Sequence, residues 1–267
     1  MKKYVHGYSL KESKRLQDQA NTLDELLHFD SVFPEKSEIL EAGCGVGSQT
    51  VIIARKNPSC HFTSIDISEA SLERAGSNLK ALNIKNVSFQ TGDIFDLRFK
   101  GRLFDHVFVC FVLEHLHDPL KALLNLKKVL RKGGTITVIE GDHGSAYFYP
   151  QSAAAQRAID CQIQLQKMHG GNALIGREVY PLLDKAGFSC CTVSPRMVYA
   201  DSSKPLLVKG FIKDTFTSMI EGVEKDALNN SLIKKVEWNK GIKDLHRTAG
   251  KNGVFCYTFF KGNAINK

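Results

Sequence analysis

At 267 residues, 43% hydrophobic and 24% charged, with a formal charge of +8, the chain has an ordinary globular composition, which excludes a disordered polymer. No apolar run reaches the roughly 18 residues a bilayer-spanning helix needs, and residues 1–10 are too polar for a secretory signal. Seven cysteines without a Cys-x-x-Cys spacing fit neither a disulfide framework nor a structural zinc site, so a cytoplasmic protein is expected. Lysine and arginine are spread out, with a mild concentration in residues 234–251; solvated helix faces and an anionic partner both remain open.

In chain order, residues 9–28 carry a helical stripe of Leu16, Ala20, Leu23, Leu26 and Leu27, ended by Pro34. Residues 38–42 read as a strand, 43–47 as a glycine turn and 48–56 as a helix stopped near Pro58. Residues 60–65 form the next strand. A helix from Glu69 to about Leu82 follows, with Ser68 as its N-cap. Residues 87–91 are a third strand. Residues 104–111 are nearly continuously apolar, as in a strand buried on both faces. Asp118-Pro119 starts a helix with a cap and a first-turn proline, and Gly133-Gly134 is expected to end it. Residues 135–140 are a fifth strand.

Strands alternating with helices predict βαβ units and a parallel sheet. Later, a helix closes at Gly187, residues 188–198 are strand-like and residues 254–260 form a last strand. Two helical insertions interrupt this part, residues 144–175 and 201–253. With no repeat or low-complexity linker, residues 1–267 read as one domain: a helical cap at 1–35, a core at 36–143 and the insertions over the active site. The aromatic run Tyr147-Phe148-Tyr149 falls in the first insertion. It suits a pocket wall and core packing equally.

The chemistry concentrates at three strand ends. Glu41-Ala42-Gly43-Cys44-Gly45-Val46-Gly47 places three glycines at alternate positions directly after a strand, where a backbone without Cβ atoms turns tightly and admits a ligand. Asp66 ends the second strand, where a carboxylate can accept ribose hydroxyls. Asp93 follows the third strand, placed for an adenine amino group, with Ile94 for the ring. Open α/β sheets put ligands beyond the carboxyl ends of their strands. A dinucleotide fingerprint would need glycine at position 48, which is Ser48.

These motifs, with Cys110-Phe111-Val112-Leu113-Glu114-His115-Leu116 and Leu130-Arg131-Lys132-Gly133-Gly134, resemble class I S-adenosylmethionine (SAM)-dependent methyltransferases. The resemblance also takes in Glu140-Gly141-Asp142-His143-Gly144 and extends to archaeal and bacterial methyltransferases of undefined substrate. It implies a Rossmann-like α/β fold with a seven-stranded sheet, ordered 3-2-1-4-5-7-6, whose seventh strand is antiparallel, and helical lid insertions. It also implies SAM as cofactor. Gly43, Gly45 and Gly47 would line its methionine part with Glu41 beneath, Asp66 its ribose, and Asp93 and Ile94 its adenine. Cys110 would stand beside it, and Tyr8 and Gln19 would belong to an N-terminal segment closing over its carboxylate.

The expected function is methyl transfer to a nitrogen or oxygen of a small molecule. His143 is the candidate general base and His115 a second candidate, because histidine accepts a proton near neutral pH. No metal is expected, since Asp142 and His143 lack the further acidic ligands of a magnesium site. An RNA or protein methyltransferase is the alternative, although Phe111-Val112-Leu113-Glu114 is not an Asn/Asp-Pro-Pro-aromatic run and no nucleic-acid module is visible. A SAM-binding protein without turnover is the other.

Overall fold

The computed structural model describes residues 10–99, 101 and 103–267. Its strands are β1 Glu38–Ala42, β2 His61–Asp66, β3 Val87–Thr91, β4 Phe104–Cys110, β5 Leu130–Tyr149, β6 Ser189–Asp201 and β7 Val254–Ile265. Its helices are α1 Leu10–His28, α2 Ser48–Lys56, α3 Glu69–Ala81, α4 Pro119–Lys128, α5 Ala153–Met168, α6 Val179–Lys185, α7 Pro205–Leu207, α8 Ser218–Gly222, α9 Glu224–Asn229 and α10 Lys235–Thr248. A π-helical stretch, Val208–Thr217, joins α7 to α8.

The strands form one mixed sheet in the order β3-β2-β1-β4-β5-β7-β6. β2 pairs in parallel with β3 and β1, and β4 with β1 and β5. β7 runs the other way beside β5. Asn266 pairs with Gly133 and Gly134 through backbone bonds, Thr137 Oγ1 donates to Asn263 Oδ1 at 2.7 Å, and Thr258 N donates to Ser145 Oγ at 2.9 Å. Partner numbers fall along β7 as they rise along β5, which is the antiparallel sense expected of the seventh strand.

Boundaries past α4 differ from the sequence reading: β6 runs to Asp201 and β7 to Ile265, beyond the expected 198 and 260. Gly133-Gly134 does not terminate α4, which stops at Lys128; the pair lies within β5. Between the partners Phe104↔Leu130 and His106↔Thr135 the register shifts, so the glycines form an irregularity in the strand, with Gly133 at φ +81°. β5 also continues past Glu140 to Tyr149. The aromatic run is therefore strand: Tyr147 and Tyr149 are exposed, while Phe148 stacks on Phe255 at 6.1 Å. Alternation with period two had been hidden in a run of three aromatics.

The chain divides into two compact units. One comprises Leu27–Glu140, Ile175–Pro195 and Phe260–Lys267. Its core sets Leu40, Val107, Val109, Ile136 and Val138 of the sheet against Leu123 and Leu126 of α4 and Val179 and Leu183 of α6, all buried. Beside this apolar mass, the buried Lys261 on β7 donates from Nζ to Leu27 O, Asp30 Oδ1 and Ser31 Oγ at 3.1, 2.6 and 2.8 Å. A buried ammonium is tolerable because all three donors are used.

The other unit comprises Gly141–Leu174, Arg196–Phe259 and the described part of Met1–Leu26. Phe211, Phe216, Phe255, Tyr257 and Phe259 form its buried aromatic core. Ser152 caps α5 and donates to Asp244 Oδ2 of α10 at 2.6 Å. The two helices meet at Gly241, where an added Cβ would lie 2.4 Å from the Ala154 carbonyl oxygen. Gly→Ala in a helix normally stabilises by up to about 1 kcal/mol, but a backbone carbonyl cannot rotate away and overpacking costs about 1–3 kcal/mol. Gly241→Ala should therefore lower stability by about 1–2 kcal/mol, read from the urea midpoint; an unchanged or raised midpoint would contradict this close packing.

Candidate functional site

The glycine turn follows from how β1 ends. Gly43 N and Cys44 N both donate to Ile65 O, at 2.8 and 3.0 Å, so pairing with β2 persists past the strand before the chain leaves the sheet. Gly43, Gly45 and Gly47 all have left-handed φ, +78°, +53° and +79°. Packing separates their roles. A Cβ on Gly43 would stand 2.5 Å from Val112 Cγ2, and one on Gly47 would stand 2.9 Å from Ala75 Cβ. At Gly45 nothing lies within 4 Å. The middle glycine thus presents bare backbone to open space.

Two carboxylates stand close to this turn. Asp66 Oδ2 accepts from Gly45 N at 2.8 Å and Oδ1 accepts from Ser68 N at 2.9 Å, so one side chain ties the glycine turn to the start of α3. Glu41, fully inside, accepts on Oε2 from Thr50 Oγ1 at 2.7 Å and Ser64 Oγ at 2.6 Å. Burial, opposed by those two hydroxyls and reinforced by Asp66, pushes its carboxyl up to about 7. Asp93 is exposed and accepts on Oδ1 from Phe95 N at 2.8 Å. The next residue, Ile94, is buried, and Asn125 Nδ2 fixes this turn by donating to Phe95 O at 3.1 Å. Cys110 ends β4, buried, its thiol held well above the usual range chiefly by desolvation.

Beyond Cys110 the backbone turns sharply. Phe111 has φ +58°, and its N–H donates to Ile139 O at 2.9 Å. Val112 N and Leu113 N donate to Glu140 Oε1 at 3.0 and 2.7 Å. A 3-10 turn, Leu113–His115, follows, and His115 Nε2 lies 3.5 Å from Glu114 Oε1.

These residues belong to the first unit; the remaining candidates belong to the second. His143 is buried, with Nδ1 2.6 Å from the Tyr257 hydroxyl and its ring edge-on to Phe216. Gln19 Oε1 accepts from Arg15 Nη1 at 3.1 Å, and Arg15 makes a two-pronged pair with Glu12. Tyr8 lies outside the described residues. Among the described residues no three His, Cys, Asp or Glu side chains are grouped to hold a metal ion. Sequence reasoning missed Thr50, Ser64, Asn125, Tyr257 and the clamp made by Glu140. Thr50 and Ser64 carry no motif of their own. Glu140 offered one signal, an acid closing an apolar strand.

Glu41 titrates at about 7 when folded against 4.5 as its ordinary value. Between those values the folded chain keeps a proton that the unfolded chain has released. This contribution to stability is complete below 4.5 and is lost as pH rises through 7, amounting to about 3 kcal/mol. Glu41→Gln should remove that decline, so the gap between wild-type and variant urea midpoints should change steadily from about pH 5 to about pH 8. Parallel midpoints over the range would refute the assignment.

Residues 34–187 match a family model described as a methyltransferase domain. An uncharacterized methyltransferase of Schizosaccharomyces pombe is 34% identical over 147 residues, which are 53% of this chain and 52% of that protein. The chain spans about half the length of the relatives it matches. Among solved structures, a phosphoethanolamine N-methyltransferase 2 of Haemonchus contortus, in complex with phosphomonomethylethanolamine and S-adenosylhomocysteine, has a TM-score of 0.57 at 15% identity, covering 92% of this chain and 52% of its own. The [4+2]-cyclase SpnF has a TM-score of 0.55 at 16% identity, covering 93% and 80%. The structural likenesses establish the fold, which different chemistries share. The family match covers more than half the chain and coincides with the glycine turn and its carboxylates: the chain belongs to the methyltransferase domain family, the class I SAM-dependent methyltransferases.

Proposed function

We propose that this protein transfers a methyl group from SAM to a nitrogen or oxygen of a small-molecule acceptor. The observation that carries the reading is the open left-handed backbone at Gly45, flanked by Glu41 and Asp66 at the ends of adjacent strands. The residues present fit the cofactor. Glycine Cα atoms without side chains suit the close approach of its methionine part, and a buried carboxyl at the edge of ionisation suits its cationic groups. Gly43, Gly45 and Gly47 would seat the methionine moiety over Glu41, Asp66 the ribose, and Asp93 and Ile94 the adenine, with Cys110 alongside. Each Asp66 oxygen already accepts one backbone N–H and keeps capacity for another donor.

When bound, SAM supplies an activated methyl group, so the chain's own task is orientation and exclusion of water. Orientation of that kind is worth about 7–11 kcal/mol. Where the acceptor must lose a proton, His143 is the proposed base. Its Nδ1 lies 2.6 Å from the Tyr257 hydroxyl, which orients the ring. His115 beside Glu114 is the second candidate. The resemblance of the N-terminal segment adds Tyr8 and Gln19 as candidate cofactor residues. The Haemonchus likeness, in complex with a small phosphorylated amine, supports a small-molecule acceptor over RNA or protein. No helix among the described residues is long and apolar enough to cross a membrane. A cytoplasmic setting is part of the proposal, supported by seven free thiols.

Three measurements test this. Calorimetric titration of the purified protein should detect SAM or S-adenosylhomocysteine; silence with both removes the reading. Asp66→Ala should weaken SAM binding about 10- to 100-fold, as expected for lost hydrogen bonds to a charged group, and wild-type affinity would reject the ribose role. His143→Ala should lower kcat by about 10²–10⁴-fold with a smaller change in SAM affinity. Tight SAM binding without turnover on a metabolite panel would instead favour a SAM-binding protein that is not an enzyme.

A further inference from the structure

We infer that Glu140 is a positioning residue for the cofactor turn: from β5 it holds the strained turn after β4 so that Val112 stands against Gly43. The inference rests on the reading that the Gly43–Gly47 turn holds SAM.

Three observations converge on it. Phe111 is a bulky residue at φ +58°, a conformation that persists only where the surroundings over-determine it. Here the next strand does so. The amides of Phe111, Val112 and Leu113 donate in succession to Ile139 O and, twice, to Glu140 Oε1. Without the Glu140 carboxyl, two adjacent N–H groups after the strained residue would lose their acceptor. The second observation is where the clamped residue leads. Val112 Cγ2 and Cγ1 would lie 2.5 and 3.0 Å from a Cβ on Gly43, so the valine side chain fills the space that glycine leaves. Any shift of the Val112 backbone is thereby transmitted to the first residue of the cofactor turn.

The third observation is the cost accepted at Glu140 itself. The residue is 0% exposed, and Oε2 is buried with no hydrogen-bond partner. A buried acid left in this state calls for an explanation beyond packing. Desolvation, with Glu114 nearby, holds its carboxyl well above the usual range. The clamp uses a single side-chain oxygen as acceptor, which an amide oxygen reproduces. Leucine or alanine cannot.

The test uses the intact chain in two arms. In ligand-free protein, hydrogen exchange of the peptide containing Gly43, Cys44 and Gly45 should quicken in Glu140→Ala and return toward wild type in Glu140→Gln. In the second arm, SAM affinity of folded Glu140→Ala should fall about tenfold or more, as two acceptor bonds are lost. KM for SAM should rise more than kcat falls, and Glu140→Gln should rescue most of the loss. Wild-type exchange and affinity in folded Glu140→Ala would overturn the inference. So would a Gln variant as impaired as Ala, which would mean that charge, not clamping, matters. If Glu140→Ala does not fold, Val112→Ala takes its place, with faster exchange at Gly43 expected and no change overturning the proposal. Should wild type fail to bind SAM while the exchange effect appears, the cofactor reading falls and the positioning role stands.

Discussion

The hydrogen bond from Gly45 N to the Asp66 carboxylate is the constraint on which the site depends. Three left-handed residues in five would leave a wandering loop unless something outside it fixed the path. Ile65 O takes the first two amides, Asp66 takes the third free one, and α2 begins at once after Gly47. The same carboxylate accepts from Ser68 N at the N-cap of α3. One side chain thus sets the geometry of two strand-to-helix connections, and a ligand gripping both meets a surface already in place. Preorganisation of this kind lowers the entropy lost on binding.

Around that fixed turn the protein keeps acids where water is scarce. Glu41 is satisfied by two hydroxyls and sits at the edge of ionisation, while Glu140 offers one oxygen to two amides and leaves the other unpaired. Neither arrangement is what stability alone would select, because apolar residues of similar volume fill such places at lower cost. The two acids serve different ends. Glu41 stands at the edge of ionisation beneath the glycine turn, whereas Glu140 holds the backbone of the turn after β4. Burial is common to both; the difference lies in which groups donate to them.

Much of the fold was legible because periodicity and punctuation agree over residues 36–128. Ser68 and Asp118 cap the helices they were expected to cap, accepting from Ser71 N and Lys121 N. The acids at strand ends announce themselves by position. Past Leu130 local signals mislead. Gly133-Gly134 has the form of a helix terminator, yet it sits within a strand, because Asn266 and β4 supply pairing that the local sequence cannot reveal. Tyr147-Phe148-Tyr149 hid a strand because exposed tyrosines look as apolar as buried ones. Around the candidate site, the glycine turn and the strand-end aspartates could be picked out as candidates, while Thr50, Ser64 and Glu140 could not. Their roles arise from contacts across strands, many residues away in sequence.

The placement of β7 carries a consequence for how the molecule is made. It lies between β5 and β6 in the sheet but follows both in the chain. During synthesis β5 and β6 therefore emerge with unpaired edges and cannot be joined until β7 leaves the ribosome. Unpaired edges recruit strands from other chains, and long-range pairings form slowly. The nascent chain thus spends its most vulnerable interval waiting for its last strand, and a ribosome that stalls before β7 would release a sticky half-sheet to the quality-control machinery.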